Sequence, residues 1–110
     1  MGCIFCRIAA GEVPAQVAFR DEAVTVFHDA GPQAPTHLLV VPNRHIGSLA
    51  ELDDPALAGA LLSACAAAAR QAGLVGGYRV VTNVGVDGGQ SVGHLHFHVL
   101  GGRAMRWPPG

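Results

Sequence analysis

GHLHFHVLGG, residues 93–102, places three of the chain's six histidines at alternate positions, His94, His96 and His98. A strand sends successive side chains to opposite faces, so this spacing predicts a strand over residues 94–100 with all three imidazoles on one face. Leu95, Phe97 and Val99 then pack on the other. Neighbouring imidazoles on such a face stand about 7 Å apart, so one small anionic group such as a phosphate can touch two of them. Two uses compete for that face: metal binding, for which imidazole is the commonest ligand, and contact with a phosphate.

The residues just before the strand favour phosphate. VGVDGGQSVG (84–93) is a loop in which Gly85, Gly88, Gly89 and Gly93 let the backbone approach a ligand closely and turn its N–H groups inward. Gln90 and Ser91 add side-chain donors. No G-x-x-x-x-G-K-[ST] occurs, which excludes P-loop nucleotide chemistry.

Working outward, residues 77–84, GYRVVTNV, read as a fourth strand preceding that loop. Asp54 followed by Pro55 supplies an N-cap and a first-turn proline for a long helix over 55–72, with Leu57, Leu61 and Cys65 at spacing four and Gly73 as its stop. THLLVV (36–41) suits a central strand buried on both faces. Residues 16–20 and 23–29 read as a hairpin turning at Asp21-Glu22, and 3–10 as a short helix stopped by Gly11. Strands, one long helix and strands again, without βαβ alternation, predict an α+β fold: an antiparallel five-stranded sheet with one long and one short helix.

The chain of 110 residues is half hydrophobic and 14% charged, which describes a globular domain, a single one spanning 1–110. A formal charge of −1 gives no general attraction to nucleic acid. The apolar run 55–69 is shorter than the ~20 residues a membrane span needs. With no secretory or transit pattern, and three cysteines (Cys3, Cys6, Cys65) too few for a disulfide scaffold, a cytoplasmic location is expected. Cys3 and Cys6 lie one helical turn apart, so both sulfurs can face one point. A redox pair, two buried thiols and half of a zinc site are all open on this spacing.

His94-Leu95-His96-Phe97-His98-Val99-Leu100 resembles the H-φ-H-φ-H-φ-φ signature of the histidine-triad (HIT) superfamily. FHDAGPQAPTHLLVVPNRHI (27–46), DGGQSVGHLHFHVLGGR (87–103) and the terminal RWPPG (106–110) resemble its Hint branch, the histidine-triad nucleotide-binding proteins. The resemblance implies a homodimer whose two sheets join into one of ten strands. It implies a purine nucleoside phosphoramidase that hydrolyses the P–N bond of adenosine phosphoramidates, and many aminoacyl-adenylates, releasing AMP without a catalytic cofactor. A dinucleoside polyphosphate hydrolase, or a zinc-stabilised nucleotide-binding module that acts through partners, are the alternatives.

Carried onto this chain, the resemblance makes His96 the nucleophile that forms a nucleotidyl-histidine. His98 would bond the phosphate oxygens, with His94 and His45 beside the nucleophile, Ser91 at the leaving group and Asn83, Gly89 and Gln90 around the phosphate. Ile4, Phe5, Ile8 and Phe27 would form the purine slot, with His28 against the base and Asp29 on the ribose hydroxyls. Trp107, in a tail of residues 104–110, would reach the partner subunit's active site. Many bacterial members bind a structural zinc, here implying the set Cys3, Cys6, His45 and His94, in which case His94 holds the strand rather than relaying protons. Gly93 stands where several members carry an aromatic residue, which loosens the approach to the triad. Ala30 stands where a larger aliphatic is common, which opens the base pocket.

Overall fold

The central strand β3 (Thr36–Pro42) lies between β2 (Val24–His28) and β5 (Phe97–Gly101) in a five-stranded antiparallel sheet of order β1-β2-β3-β5-β4, with β1 at Val17–Arg20 and β4 at Tyr78–Val81. The computed structural model describes residues 2–110. Strand β3 is buried from His37 to Pro42, as an apolar β-branched run between two neighbours must be. The β1–β2 turn is tied by Asp21, whose Oδ1 accepts from the N–H groups of Ala23 and Val24 at 2.8 Å each.

Alternation along the strands builds two different faces. Val24, Val26, Leu38, Val40, Phe97 and Val99 join the core under the long helix α2 (Pro55–Gln71), where Leu61, Cys65 and Ala68 pack. Phe27, Leu39 and Val41 point the other way and meet Phe5 and Ile8 of the short helix α1 (Ile4–Ala9). Helix α2 starts and stops where its sequence dictates. The Asp54 carboxylate accepts from Leu57 N–H at 3.2 Å, Pro55 fills the first turn, and Gly73 takes φ +74° just past the end.

Two segments differ from the sequence expectation. The fourth strand is shorter, covering only Tyr78–Val81, and it forms one of the two edges of the sheet. The fifth begins at Phe97 rather than residue 94, so His94 and His96 precede it. The ladder from β3 ends at the Val40–Phe97 pair, near Pro42, which has no N–H to give. The Pro42 carbonyl is taken instead by a side chain, His94 Nε2, at 2.9 Å. Residues 94–96 are held by single bonds, Leu95 N–H to the Ile46 carbonyl and Thr82 Oγ1 to the His96 carbonyl. The alternation of faces survives: Leu95 is buried under α2, and the rings of His94 and His96 lie edge-on to Phe5 on the opposite side.

Candidate active site

Because α1 is only six residues long, it covers part of its face of the sheet and leaves a cavity of about 630 Å³. Its lining combines apolar side chains, Ile4, Phe5, Ile8, Phe27 and Leu39, with the polar Asp29, Ser91, His96 and His98. His28 and Ala30 also line it. Phe5 contacts both kinds of lining, edge-on to Phe27 at 5.5 Å and to His96 at 5.1 Å between ring centroids.

Hydrogen-bond partners fix the tautomers of His37, His94, His96 and His98. His96 Nδ1 lies 2.7 Å from the His94 carbonyl, which can only accept, so the neutral ring carries its proton on Nδ1 and its lone pair on Nε2. His94 donates through Nε2 to the Pro42 carbonyl, so its lone pair is on Nδ1. His98 is set through a longer chain. The Gln33 N–H donates to His37 Nδ1 at 3.0 Å, which puts the His37 proton on Nε2, and this donates to His98 Nδ1 at 2.8 Å. His98 is therefore left with a donor N–H at Nε2. The Gln33 carbonyl is itself held by Arg103 Nη2 at 3.2 Å.

No buried side-chain nitrogen or oxygen among the described residues lacks a partner, so His96 Nε2 and His98 Nε2, which make no bond, are reached from the cavity. One is a lone pair and the other a proton donor, with ring centroids 5.0 Å apart. Burial pushes His98 below the ordinary imidazole range, helped by nearby His96 and His37 and opposed by Asp29. His37 is also lowered by burial, against the opposing pull of Asp29, whose Oδ2 is 3.4 Å from its Nε2. Both shifts favour the neutral, hydrogen-bonding forms.

Other anticipated residues stand apart from the cavity in this single chain. Gln90 Nε2 donates to the carbonyls of Gly47 and Val92, and its Oε1 accepts from Gly85 N–H, which folds the glycine loop upon itself. Asn83 Nδ2 donates to the Gly88 carbonyl at 2.7 Å, and Gly89 is exposed. Trp107 is 84% exposed, on a tail tied to β4 by Arg79, which donates to the carbonyls of Arg106 and Pro109. His37 is not among the site residues expected from the sequence, yet it bonds His98 and faces Asp29. An imidazole in a strand expected to be buried on both faces needs a partner, and that requirement was the available signal.

His94 does not line the cavity; it is fully buried behind Phe5 and faces two thiols. Its Nδ1 is 3.3 Å from Cys3 Sγ and 3.4 Å from Cys6 Sγ, and His45 Nδ1 is 3.3 Å from Cys6 Sγ. These four donor atoms converge within 4.8 Å of one another. Zn–S bonds of about 2.3 Å and Zn–N bonds of about 2.0 Å set sulfur and nitrogen ligands roughly 3.5 Å apart on a tetrahedron, close to the spacing here. The donor set and the lone pair on His94 Nδ1 fit a tetrahedral cation. Burial and the adjacent Cys3 sulfur push the Cys6 thiol above its ordinary range, a shift that a bound cation would reverse. Cys65 is unrelated, buried in the α2 core with its thiol pushed up to about 11 by that burial.

The sequence and the fold have relatives. A HIT-like protein of Synechococcus elongatus, itself uncharacterised, is 48% identical over 109 residues, covering 97% of this chain and 96% of its own. The crystal structure of a HIT family hydrolase from Legionella pneumophila superposes with a TM-score of 0.95 at 47% identity, over 99% of this chain and all of the other. A histidine triad nucleotide-binding protein from Candida albicans superposes at 0.85 with 28% identity, over 97% and 83% of the two chains. The model of the HIT domain matches residues 10–105, and the chain belongs to the HIT domain family.

Proposed function

We propose that this chain is a purine nucleoside phosphoramidase, hydrolysing the P–N bond of adenosine phosphoramidates and of aminoacyl-adenylates their acyl–phosphate bond, through a covalent nucleotidyl-histidine on His96. The observation that carries the reading is the pair of free nitrogens in one cavity: an unprotonated His96 Nε2 beside a protonated His98 Nε2, next to an apolar slot. A nucleotide fits that order, with its base between Ile4, Phe5, Ile8 and Phe27, His28 at the base edge, and its ribose hydroxyls on Asp29.

In the first step the His96 Nε2 lone pair attacks the α-phosphorus, the P–N bond breaks and the amine leaves with a proton passed by the Ser91 hydroxyl, which takes one in turn from solvent water. His98 Nε2–H donates to a phosphate oxygen as negative charge builds there, and the His96 Nδ1–H bond to the His94 carbonyl steadies the positive imidazole. Water then breaks the phosphorus–imidazole bond, giving AMP and restoring His96. No catalytic metal or organic cofactor enters these steps.

A structural zinc on Cys3, Cys6, His45 and His94 is part of this reading, supported by the donor geometry; it would pin α1 to the segment carrying His96. A homodimer is supported by the open edge of β4, where Tyr78 and Val80 are exposed, together with Leu62 and Val75. Pairing along that edge would give the ten-stranded sheet and bring the 104–110 tail, with Trp107, toward a partner's cavity. Three free thiols fit a reducing, cytoplasmic setting, and no helix among the described residues is long and apolar enough to cross a membrane.

The test is hydrolysis of a fluorogenic adenosine phosphoramidate beside diadenosine polyphosphate, with mass spectrometry of the quenched protein for a nucleotidyl adduct. Turnover of the phosphoramidate with an adduct on His96 is expected. Preference for the dinucleotide would make the chain a dinucleoside polyphosphate hydrolase, and nucleotide binding without turnover would make it an interaction module.

A further inference from the structure

One short helix serves two sites. Cys3, the N-cap of α1, and Cys6, in its first turn, face His94 and His45, while Ile4, Phe5 and Ile8 of the same helix wall the cavity. Phe5 touches both sides, with its ring 6.0 Å from that of the cluster's His94 and 5.1 Å from that of His96. Few other ties hold α1. A six-residue helix has no stability of its own, and besides the packing of Phe5 and Ile8 its anchor to the sheet among the described residues is one bond from Arg20 Nη2 to the Ile8 carbonyl at 3.0 Å. Among the described residues the cluster is therefore the other polar tie between α1 and the rest of the chain.

The two sulfurs are placed to leave that cluster together. Both cysteines are part-exposed, three residues apart, with the Cys6 N–H donating to Cys3 Sγ at 3.4 Å. Residues i and i+3 on a helix have Cβ atoms about 5–6 Å apart, so only a small adjustment of the first turn reaches disulfide spacing. Cys65 is buried far along the chain in the other core and is set apart from this chemistry.

We propose that the Cys3–Cys6 pair is a peroxide-sensitive switch that controls nucleotide binding through Phe5, an inference that rests on the nucleotide-site reading above. In the closed state the two thiolates and the two imidazoles hold a zinc ion. Hydrogen peroxide oxidises the thiolates: their sulfurs join in one S–S bond, the O–O bond breaks, and two protons are taken up to give two waters. The released Zn2+ leaves because two imidazoles remain of four ligands. Helix α1 then loses its ties to His94 and His45, and the base wall loosens against His96.

The experiment uses the whole reduced protein loaded with zinc, treated with hydrogen peroxide and followed in four ways. Released zinc is measured with a chromophoric chelator, free thiols by titration, AMP affinity by calorimetry, and amide exchange over residues 3–9 by mass spectrometry. One zinc per chain is expected to leave as thiols fall from three to one. AMP binding should weaken by roughly ten-fold, within the range usual for coupled sites. Exchange over 3–9 should rise, and dithiothreitol with added zinc should reverse all four. A Cys3→Ser/Cys6→Ser double variant should bind AMP at the weak level and ignore peroxide. Failure to take up zinc, zinc and thiols that survive peroxide, or disulfide formation with unchanged AMP affinity would each overturn the switch. If the reduced, zinc-loaded protein binds no AMP, the nucleotide reading fails instead, and zinc release with amide exchange still reports whether the thiols act as described.

Discussion

The two faces of the sheet are made by the same strands, residue by residue in alternation, yet they are finished differently. Under α2 a seventeen-residue helix closes the face completely, and Val26, Val40, Leu61 and Val99 have no exposed surface. On the other face a six-residue helix leaves a cavity, reached by His96, and the buried His37 and His94 lie on that same face outside the cavity lining. The first face holds the molecule together; the second spends packing on chemistry. A residue's place in the alternation decides which kind of consequence its substitution has.

Four measurements would break or sharpen that contrast. The largest effect is expected on the open face from His96→Ala, which should cut phosphoramidate turnover at least ~10⁴-fold, as loss of a nucleophile does, with a thermal midpoint within a few degrees of wild type. Comparable loss of stability would mean that the two faces are not separable. On the closed face, Leu61→Ala should cost about 2–5 kcal/mol in urea unfolding through the cavity it leaves, while AMP affinity of the folded fraction stays unchanged. A shift in AMP affinity with Leu61 would show that the sheet transmits packing from one side to the other.

A smaller loss is expected for His37→Phe, which removes the donor to His98 Nδ1. Turnover should fall about ten-fold, less than for loss of a donor in direct contact with the developing charge, with KM little changed. Nitrogen NMR of His98 should then show a mixture of tautomers in place of one; a single unchanged tautomer would remove His37 from the argument. The smallest effect is on stability against pH. His37 and His98 are held below the ordinary imidazole range by burial, so between that lowered value and about 6.5 the unfolded chain binds protons that the folded chain does not. Stability is full above about pH 6.5 and should decline as pH falls through this window, seen as a lower thermal midpoint. His37→Phe should flatten the decline, and a slope that stays the same would place its origin elsewhere.

Much of this arrangement is legible in the sequence because it is local. Asp54-Pro55 and Gly73 mark the ends of α2, Asp21 marks the hairpin, and the HLHFHV alternation assigns Leu95 and Phe97 to one face and the imidazoles to the other. What was not legible depends on distant partners. The fifth strand starts late because Pro42, across the sheet, cannot continue the ladder. His37 gains its meaning from His98, sixty-one positions away. Gln90 looks like a ligand donor in a glycine loop, and only folding reveals that its amide is already engaged by Gly47, Val92 and Gly85.

The tautomer of His98 is chosen, through His37, by the main-chain N–H of Gln33. No side chain at position 33 is needed for that choice, since the Gln33 amide group bonds only to the nearby Gly31 carbonyl. Nineteen of the twenty amino acids would therefore keep this N–H, and proline alone would remove it, leaving only the Asp29 carboxylate beside Nε2 to hold the proton there. An outwardly permissive surface position thus carries a single forbidden letter, and a scan of variants there should find tolerance everywhere except at that one.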